Sequence, residues 1–486
     1  MSGLGIVAEL IRRISKLTGR VAELEKRNKE LEEQYKNIRN QSSRNSSQPP
    51  NKDWQSKPNT NKDKPNPKPA SRVKKKGKKT SGGQKGHKGH RLKAVKNPDK
   101  TQCHRLAKTP GGAPLKDEHI VGWEERQVFD QPQVIYEVTA HRRAVYKDPE
   151  TGKLLKAPFP QGVTAATCYG ANIKALALNL HVAHLVPLQR TAQIIKDLFG
   201  LPMSEGTIVN AKQAAGQNLQ PFQRAAVEQL IKEPRLNCDE SGLRVMTKLH
   251  WCHIYASENL CLFFGHQKRG KQAMEKIDIL TQYMGHLIVD FFASYRTVAV
   301  SAELYYCVIH LVRELRAVHE QTDQEWSAKL IEHFYNGLDT VTQKQSPLSE
   351  SAMEKWNIRF EQLLDEGGKL NPEPIPSPPE KRKRGRIKRT KARNLINRLQ
   401  EHKASYTGYL TDLEIPFTNN DAERPIRMIK VQQKVSGCFR NLESCQSFLL
   451  IRGYFETLRK NGRDVLEGTR NAIIGQVPSV AEITTT

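Results

Sequence analysis

Asp239 in RLNCDESGLRVM, Asp290 in HLIVDFFASY and Glu423 in FTNNDAERPIRMIK sit at apolar, strand-like or helical segments of a chain whose formal net charge is +27. Acids kept in such places against so strong an opposite bias are candidates for holding divalent cations. Cleavage and transfer of phosphodiesters commonly use two such ions about 3.5–4 Å apart, which stabilise the attacking and leaving oxygens. Mg2+ and Mn2+ take oxygen ligands and keep several waters, so two or three carboxylates suffice. Two ions per active site, on Asp239, Asp290 and Glu423, are therefore expected. Each acid also has an ordinary reading. Asp239 can cap a turn, Asp290 can begin a loop, and Glu423 can pair with Arg427 four residues on, for a few tenths of a kcal/mol. Their occurrence in order, after the right element types, favours the metal reading. Glu240 and Asp421 are neighbours rather than members, since on a strand Glu240 faces away from Asp239. Pro425 costs roughly 3 kcal/mol in a helix interior, so the helix carrying Glu423 must start close to it or distort.

The elements that must position these acids begin near Pro234. RLNCDE, GLRVMT, HWCHIYA and LCLFFGH read as short strands, Lys271 to Tyr283 as a helix, HLIVD as a buried strand, and YYCVIH as a strand leading into a helix through Leu315. This order predicts a multidomain α/β protein with an RNase H-like core. Its first part spans 231–322, a helical and basic insertion spans 323–400, and 401–440 completes the core with Glu423. The insertion carries NPEPIPSPP and KRKRGRIKRTKAR, whose Lys381, Arg382, Arg384 and Arg386 are candidate DNA contacts. Residues 441–486 read as a C-terminal helical tail.

Upstream, residues 1–42 carry a heptad. Leu10, Leu17, Leu24, Leu31 and Ile38 form one row; Val7, Ile14, Val21, Asn28 and Tyr35 form the other. β-Branched residues at one seam position and Leu at the other predict a two-stranded coiled coil, with Asn28 fixing register and dimeric state. Leu10, Leu17, Leu24, Asn28 and Leu31 are thus the dimerisation residues. Residues 43–108 form a disordered, basic linker. From Arg72 to Lys108 it holds fourteen Lys or Arg against one acid. Lys74, Lys75, Lys76, Lys78, Lys79, Lys85 and Lys88 are placed to neutralise phosphates, and the glycines of GGQKGHKGH let the backbone follow them. Residues 109–165, with alternating stretches such as QVIYEVTAH, predict a small β module. In 166–230, Leu188, Ala192, Ile195 and Phe199 line one face, Gly200 breaks the helix and Ser204 caps the next. That pattern fits a helix-turn-helix exposing Asn210, Lys212 and Gln213 to DNA.

Charge of this size predicts attraction to polyanions through counterion release. No apolar run approaches the roughly 18 residues that span a bilayer, and no leader-like segment opens the chain, so nucleic acid rather than a membrane is the expected partner. The eight cysteines are scattered singly with no CxxC pair, which predicts a reduced, cytoplasmic protein without a disulfide framework.

FPQGVTA, SEGTIVNA, DESGLRV, KLHWCHIY, KRGKQAM, HLVRELR, KARNLINRL and TNNDAERPIRMIKVQQKVSGCFRN together resemble transposases of the insertion sequence 66 family, within the DDE group. The resemblance covers most of the chain. It implies a bacterial element's DNA transposase whose DDE triad falls on Asp239, Asp290 and Glu423. It also implies supporting roles for His310 and Arg313 after the second acid, and for Asn420 and Arg424 flanking the glutamate. DNA with inverted-repeat ends, target DNA, a second copy of the chain and small accessory proteins of the same element are the implied partners. The family's zinc-binding module carries CxxCG-like pairs; only Cys103 and His104 stand in the corresponding region here. Four ligands make a structural zinc site, so none is expected and the module is degenerate. Phe291 follows Asp290 where the family usually has a smaller or more polar residue. A catalytically decayed end-binding protein and an RNase H-fold nuclease are the alternative readings.

Overall fold

The computed structural model describes residues 95–97, 101–105, 110–114, 116–120, 136–147, 149–150, 153–374 and 389–485. The dimerisation positions in 1–42, the lysines from Lys74 to Lys88, and Lys381, Arg382, Arg384 and Arg386 lie outside the described residues. The chain divides into two compact units, Met1–Tyr136 and Glu137–Thr486. In the first, a 3-10 turn covers Asp117–His119, and Arg105 pairs with Asp117 at 3.2 Å.

The second unit opens with a small hairpin, β1 (Val145–Lys147) antiparallel to β2 (Leu154–Lys156). Tyr136 to His141, the described part of the alternating QVIYEVTAH, form no strand. Residues 136–144 lack regular structure and Val138 is 80% exposed, so the pattern has no buried face to hold it. Four helices follow: α1 (Ala171–Leu178), α2 (Leu188–Phe199), α3 (Glu205–Asn218) and α4 (Gln220–Leu230). Gly200 ends α2 in the left-handed conformation at φ 67°, and the Ser204 hydroxyl opens α3 by accepting the Thr207 N–H. Ile195, Met203 and Ile208 form a small apolar cluster between α2 and α3.

The sheet contains β3 (Arg235–Val245), β4 (Lys248–Ala256), β5 (Cys261–His266), then after α5 (Lys271–Ile277) β6 (His286–Val289), and after α6 (Ala293–Val298) β7 (Glu303–Tyr306). RLNCDE and GLRVMT, expected as separate strands, are one. The backbone through Ser241 and Gly242 stays extended because β4 pairs with it from Asn237 to Val245. The strand order is β5-β4-β3-β6-β7. The first three run antiparallel to their neighbours, while β6 is parallel to β3 and β7 to β6.

From β7 the chain enters α7 (Val308–Thr322), α8 (Glu325–Lys344), α9 (Glu350–Leu370), α10 (Lys391–Glu401) and α11 (Lys403–Thr411). Trp326, Phe334, Phe360, Leu395, Leu399 and Leu410 from these helices join the same apolar core as the sheet. The region read as an insertion therefore shares its core with the strands. The chain ends in α12 (Asn420–Ser436), α13 (Leu442–Lys460), α14 (Val465–Ile474) and α15 (Val480–Thr484).

The segment expected as a tail supplies a central helix. Phe448, Leu449, Ile451, Tyr454 and Phe455 of α13 are all buried, each contributing about 1.5–3 kcal/mol by leaving water. α13 lies so close to β5 that a Cβ on Gly453 would meet the Cys261 carbonyl oxygen at 2.9 Å. The Thr457 hydroxyl serves that edge strand, accepting from the Cys261 N–H and donating to its carbonyl. Arg452, buried, ties α13 back to the carbonyls of Val182 and Ala183 and pairs with Glu456 at 2.7 Å. Among the described residues no helix is long and apolar enough to cross a membrane.

Candidate active site

Asp239 sits midway along β3, and Asp290 is the first residue after β6. β3 and β6 pair in parallel with Asn237 opposite Ile288. Continuing that register by two residues sets Asp239 level with Asp290, and strand alternation gives both the same face. Asp290 turns back on the following loop, its Oδ1 accepting the Phe292 N–H at 3.0 Å. Asp239 Oδ1 accepts the N–H of Glu240 at 2.7 Å.

Glu423 reaches this place from α12. That helix begins at Asn420, five residues before Pro425, so the proline removes a hydrogen bond only near the helix start. The residue that fixes the helix is Asn419, fully buried. Its Nδ2 donates to the Cys238 carbonyl at 2.7 Å, and its Oδ1 accepts from Asn237 Nδ2 at 2.9 Å. Its backbone N–H points at Cys307 Sγ, 3.3 Å away, and its carbonyl accepts the Glu423 N–H at 2.9 Å. One neutral side chain thus ties the strand beside Asp239 to the helix turn bearing Glu423.

The electrostatics agree with that proximity. Burial, then the charge of Glu240, pushes the Asp239 carboxyl up to about 8; Asp290 and Glu423 add to the rise, and the Glu240 N–H opposes it. Glu240 is engaged elsewhere. The Tyr295 hydroxyl donates to it at 2.5 Å and Arg269 Nε at 2.9 Å, with the Arg269 guanidinium over the rings of Phe292 and Trp251. Burial still raises its carboxyl above the ordinary range. Asp421 pairs with Arg235 at 3.8 Å. Glu423, buried, receives Arg427 Nη2 on Oε2 at 2.7 Å, so the ordinary i,i+4 pairing exists as well. Its Oε1 lies 3.8 Å from Cys307 Sγ and 3.7 Å from His310 Nδ1.

His310 accordingly borders the site at the start of α7, whereas Arg313 is exposed one turn on. The contacts to the Glu423 carboxylate come from Arg427, Cys307 and His310; Asn420 is half-buried and Arg424 exposed beside them. Asn210 is exposed on α3. Lys212, expected beside it on the outer face, is instead buried, and its Nζ donates to Ser444 Oγ at 2.7 Å. The reason is that α3 packs against α13 closely enough for a Cβ on Gly216 to meet Ser447 at 2.8 Å. Phe291 has a built place: its ring packs on Tyr306 and His402, with the guanidinium groups of Arg296 and Arg398 at 4.3 and 4.5 Å from its centroid.

Asn419, Cys307 and Asn237 escaped the sequence reading. The doubled asparagine in FTNND marks the position, but nothing in its spacing distinguishes Asn419 from Asn420. Cys307 and His310 do show a C-x-x-H spacing at a strand-to-helix junction, the one signal that pointed to them.

Residues 166–447, more than half of the chain, match the family model described as Transposase IS66 family. No curated protein matches the chain.

Proposed function

The chain belongs to the IS66 family of transposases, and from that premise we propose that it cuts and joins DNA at a site built from Asp239, Asp290 and Glu423. The observation that carries this reading is geometric: the β3–β6 register sets Asp239 level with Asp290, and Asn419 ties the Asp239 strand to the helix turn bearing Glu423. A cation bound among carboxylates favours their charged forms. The sheet order supports an RNase H-like core: three antiparallel strands, then two parallel ones, with an acid on the first strand and another at the end of the fourth.

The donor set is hard oxygen, which fits Mg2+ or Mn2+, and Asp239, Asp290 and Glu423 would hold the ions. Bound there, such ions supply Lewis-acid stabilisation of attacking and leaving oxygens in phosphoryl transfer. The chain's own part is positional. Asn419 keeps the Glu423 turn in register with β3, Arg427 neutralises one Glu423 oxygen, and Arg269 with Tyr295 keeps Glu240 out of the cluster.

Double-stranded DNA, as inverted-repeat ends and as target, is the substrate in this reading. Asn210 on α3 and the basic segments with Lys74–Lys88 and Lys381–Arg386 contact it. The coil at 1–42 brings two copies, hence two ends, together, and small proteins of the same element assist. The place of action is the nucleoid in a bacterial cytoplasm. Replacing Asp239, Asp290 and Glu423 together by Ala should abolish Mg2+- or Mn2+-dependent nicking and strand transfer while leaving end binding largely intact. Strand transfer by the triple variant would overturn the assignment; end binding without nicking by the unaltered chain would favour a decayed copy.

A further inference from the structure

Cys307 Sγ, His310 Nδ1 and Glu423 Oε1 all lie within 4.8 Å of one another. Glu423 Oε1 is the shared corner, 3.8 Å from the sulfur and 3.7 Å from the nitrogen. Ligands bonded tetrahedrally to zinc at about 2.0–2.3 Å stand roughly 3.3–3.8 Å apart, so the trio needs to contract little. Cys307 caps the N-terminus of α7 and His310 lies three residues on, which stacks the two on one side of the first turn.

Three details prepare these atoms for a ligand. Cys307 is 1% exposed, yet its sulfur receives the Asn419 N–H, the kind of outer hydrogen bond that supports a metal-bound thiolate. His310 Nδ1 is buried without a hydrogen-bond partner. The second Glu423 oxygen is held by Arg427, leaving Oε1 to face the sulfur and the nitrogen. Sulfur and imidazole donors suit Zn2+ and its soft relatives and are poor ligands for Mg2+.

We propose that Cys307, His310 and Glu423 form a binding site for a soft divalent cation of the zinc class, and that its occupation withdraws Glu423 from Asp239 and Asp290 and so inhibits the protein. The binding stands on its own; the inhibition rests on the catalytic reading above. The three ligands leave a fourth position for water, as in an open rather than a structural zinc site.

Co2+ titrated into the full-length, reduced chain is the probe. One equivalent should produce a thiolate-to-cobalt charge-transfer band together with the intense visible bands of a four-coordinate ion. Cys307→Ser should lose the charge-transfer band. His310→Gln, a second variant in case the first folds poorly, should keep that band but need about 10–100-fold more Co2+. A spectrum without the thiolate band, or one that Cys307→Ser leaves unchanged, overturns the site, since Cys103, Cys168 and Cys438 are exposed and can bind adventitiously. For the inhibition, Zn2+ is added to Mg2+-driven nicking, each protein being compared with its own zinc-free rate. Zinc should suppress the unaltered chain at concentrations that spare Cys307→Ser. Equal suppression, or none despite the cobalt signature, overturns the inhibitory half. If no protein nicks at all, the catalytic reading fails while the spectra still decide the site.

Discussion

The side-chain amide of Asn419, at the N-cap of α12, donates to the carbonyl oxygen of Cys238, the residue before Asp239, at 2.7 Å. This neutral hydrogen bond, with that from Asn237 to Asn419 Oδ1, sets the distance between two acids that repel each other. Asn419→Ala leaves the Cys238 carbonyl and the Asn237 amide unpaired in a buried place. It should cost about 2–3 kcal/mol in denaturant unfolding and lower the nicking rate further than end binding. Asn419→Asp, similar in shape but unable to donate to Cys238 and adding a fourth charge, should be no better. A normal nicking rate in both variants would show that Asn419 does not position Glu423.

Lys212 is buried against α13 with Ser444 Oγ as its hydrogen-bond partner, and burial lowers its ammonium to about 8. A lysine whose folded value is depressed destabilises the charged, low-pH form. The penalty is full below about pH 8 and fades as pH rises toward the ordinary value near 10.5. Lys212→Met keeps the stem and removes the charge, so it should stabilise the chain at pH 7 by about 1–2 kcal/mol. The gain should shrink on going to pH 10. End-DNA binding by the variant should be unaltered; a marked loss of affinity would return Lys212 to the DNA interface.

What could be read from the sequence follows from what each residue does. Asp239, Asp290 and Glu423 drew notice because an acid beside an apolar run in a basic chain is conspicuous. Asn419 and Cys307 did not, because a neutral polar residue that bridges elements carries no periodic signal. The succession of strands and helices after Pro234 was legible from the period of the apolar runs and the turn residues between them. The long β3 was not, since Ser241 and Gly242 mimic a turn until β4 pairs across them. Lys212 misled because a lysine on a helix is ordinarily solvated, and only the α13 contact overrides that. The final helices were read as a tail although α13 is apolar on most of its circumference, which marks a buried helix rather than an amphipathic surface one.

Phe291, the unusual residue after Asp290, anchors α10 and α11 to the sheet through Arg398, His402 and Tyr406. Phe291→Ala removes the ring between two guanidinium groups and should cost about 2 kcal/mol. The two arginines then lie closer in effect, so the loss should be larger at low salt than at high salt. Phe291→Leu, which keeps apolar contact but not the cation–π component, should recover about half. A loss independent of salt would leave packing alone as the role of the ring.

The Asp239 carboxyl ties stability to both pH and divalent ions. Its folded value, about 8, exceeds the ordinary 3.8, so the folded chain holds this proton more tightly than the unfolded one. The resulting stability is complete below about pH 4 and is lost as pH rises through 8. Asp239→Asn has no proton to lose and keeps an oxygen to accept the Glu240 N–H. In metal-free buffer its advantage over the unaltered chain should be near zero at about pH 4.5. It should then grow steadily to about pH 8, reaching on the order of 1–3 kcal/mol. Under the proposed metal assignment Mg2+ supplies positive charge there, so adding it at high pH should stabilise the unaltered chain and narrow the gap, with little effect at low pH. Urea unfolding across that pH range, with and without Mg2+, reads both effects. A gap that is flat with pH would mean that burial and the neighbouring charge of Glu240 do not raise the Asp239 carboxyl.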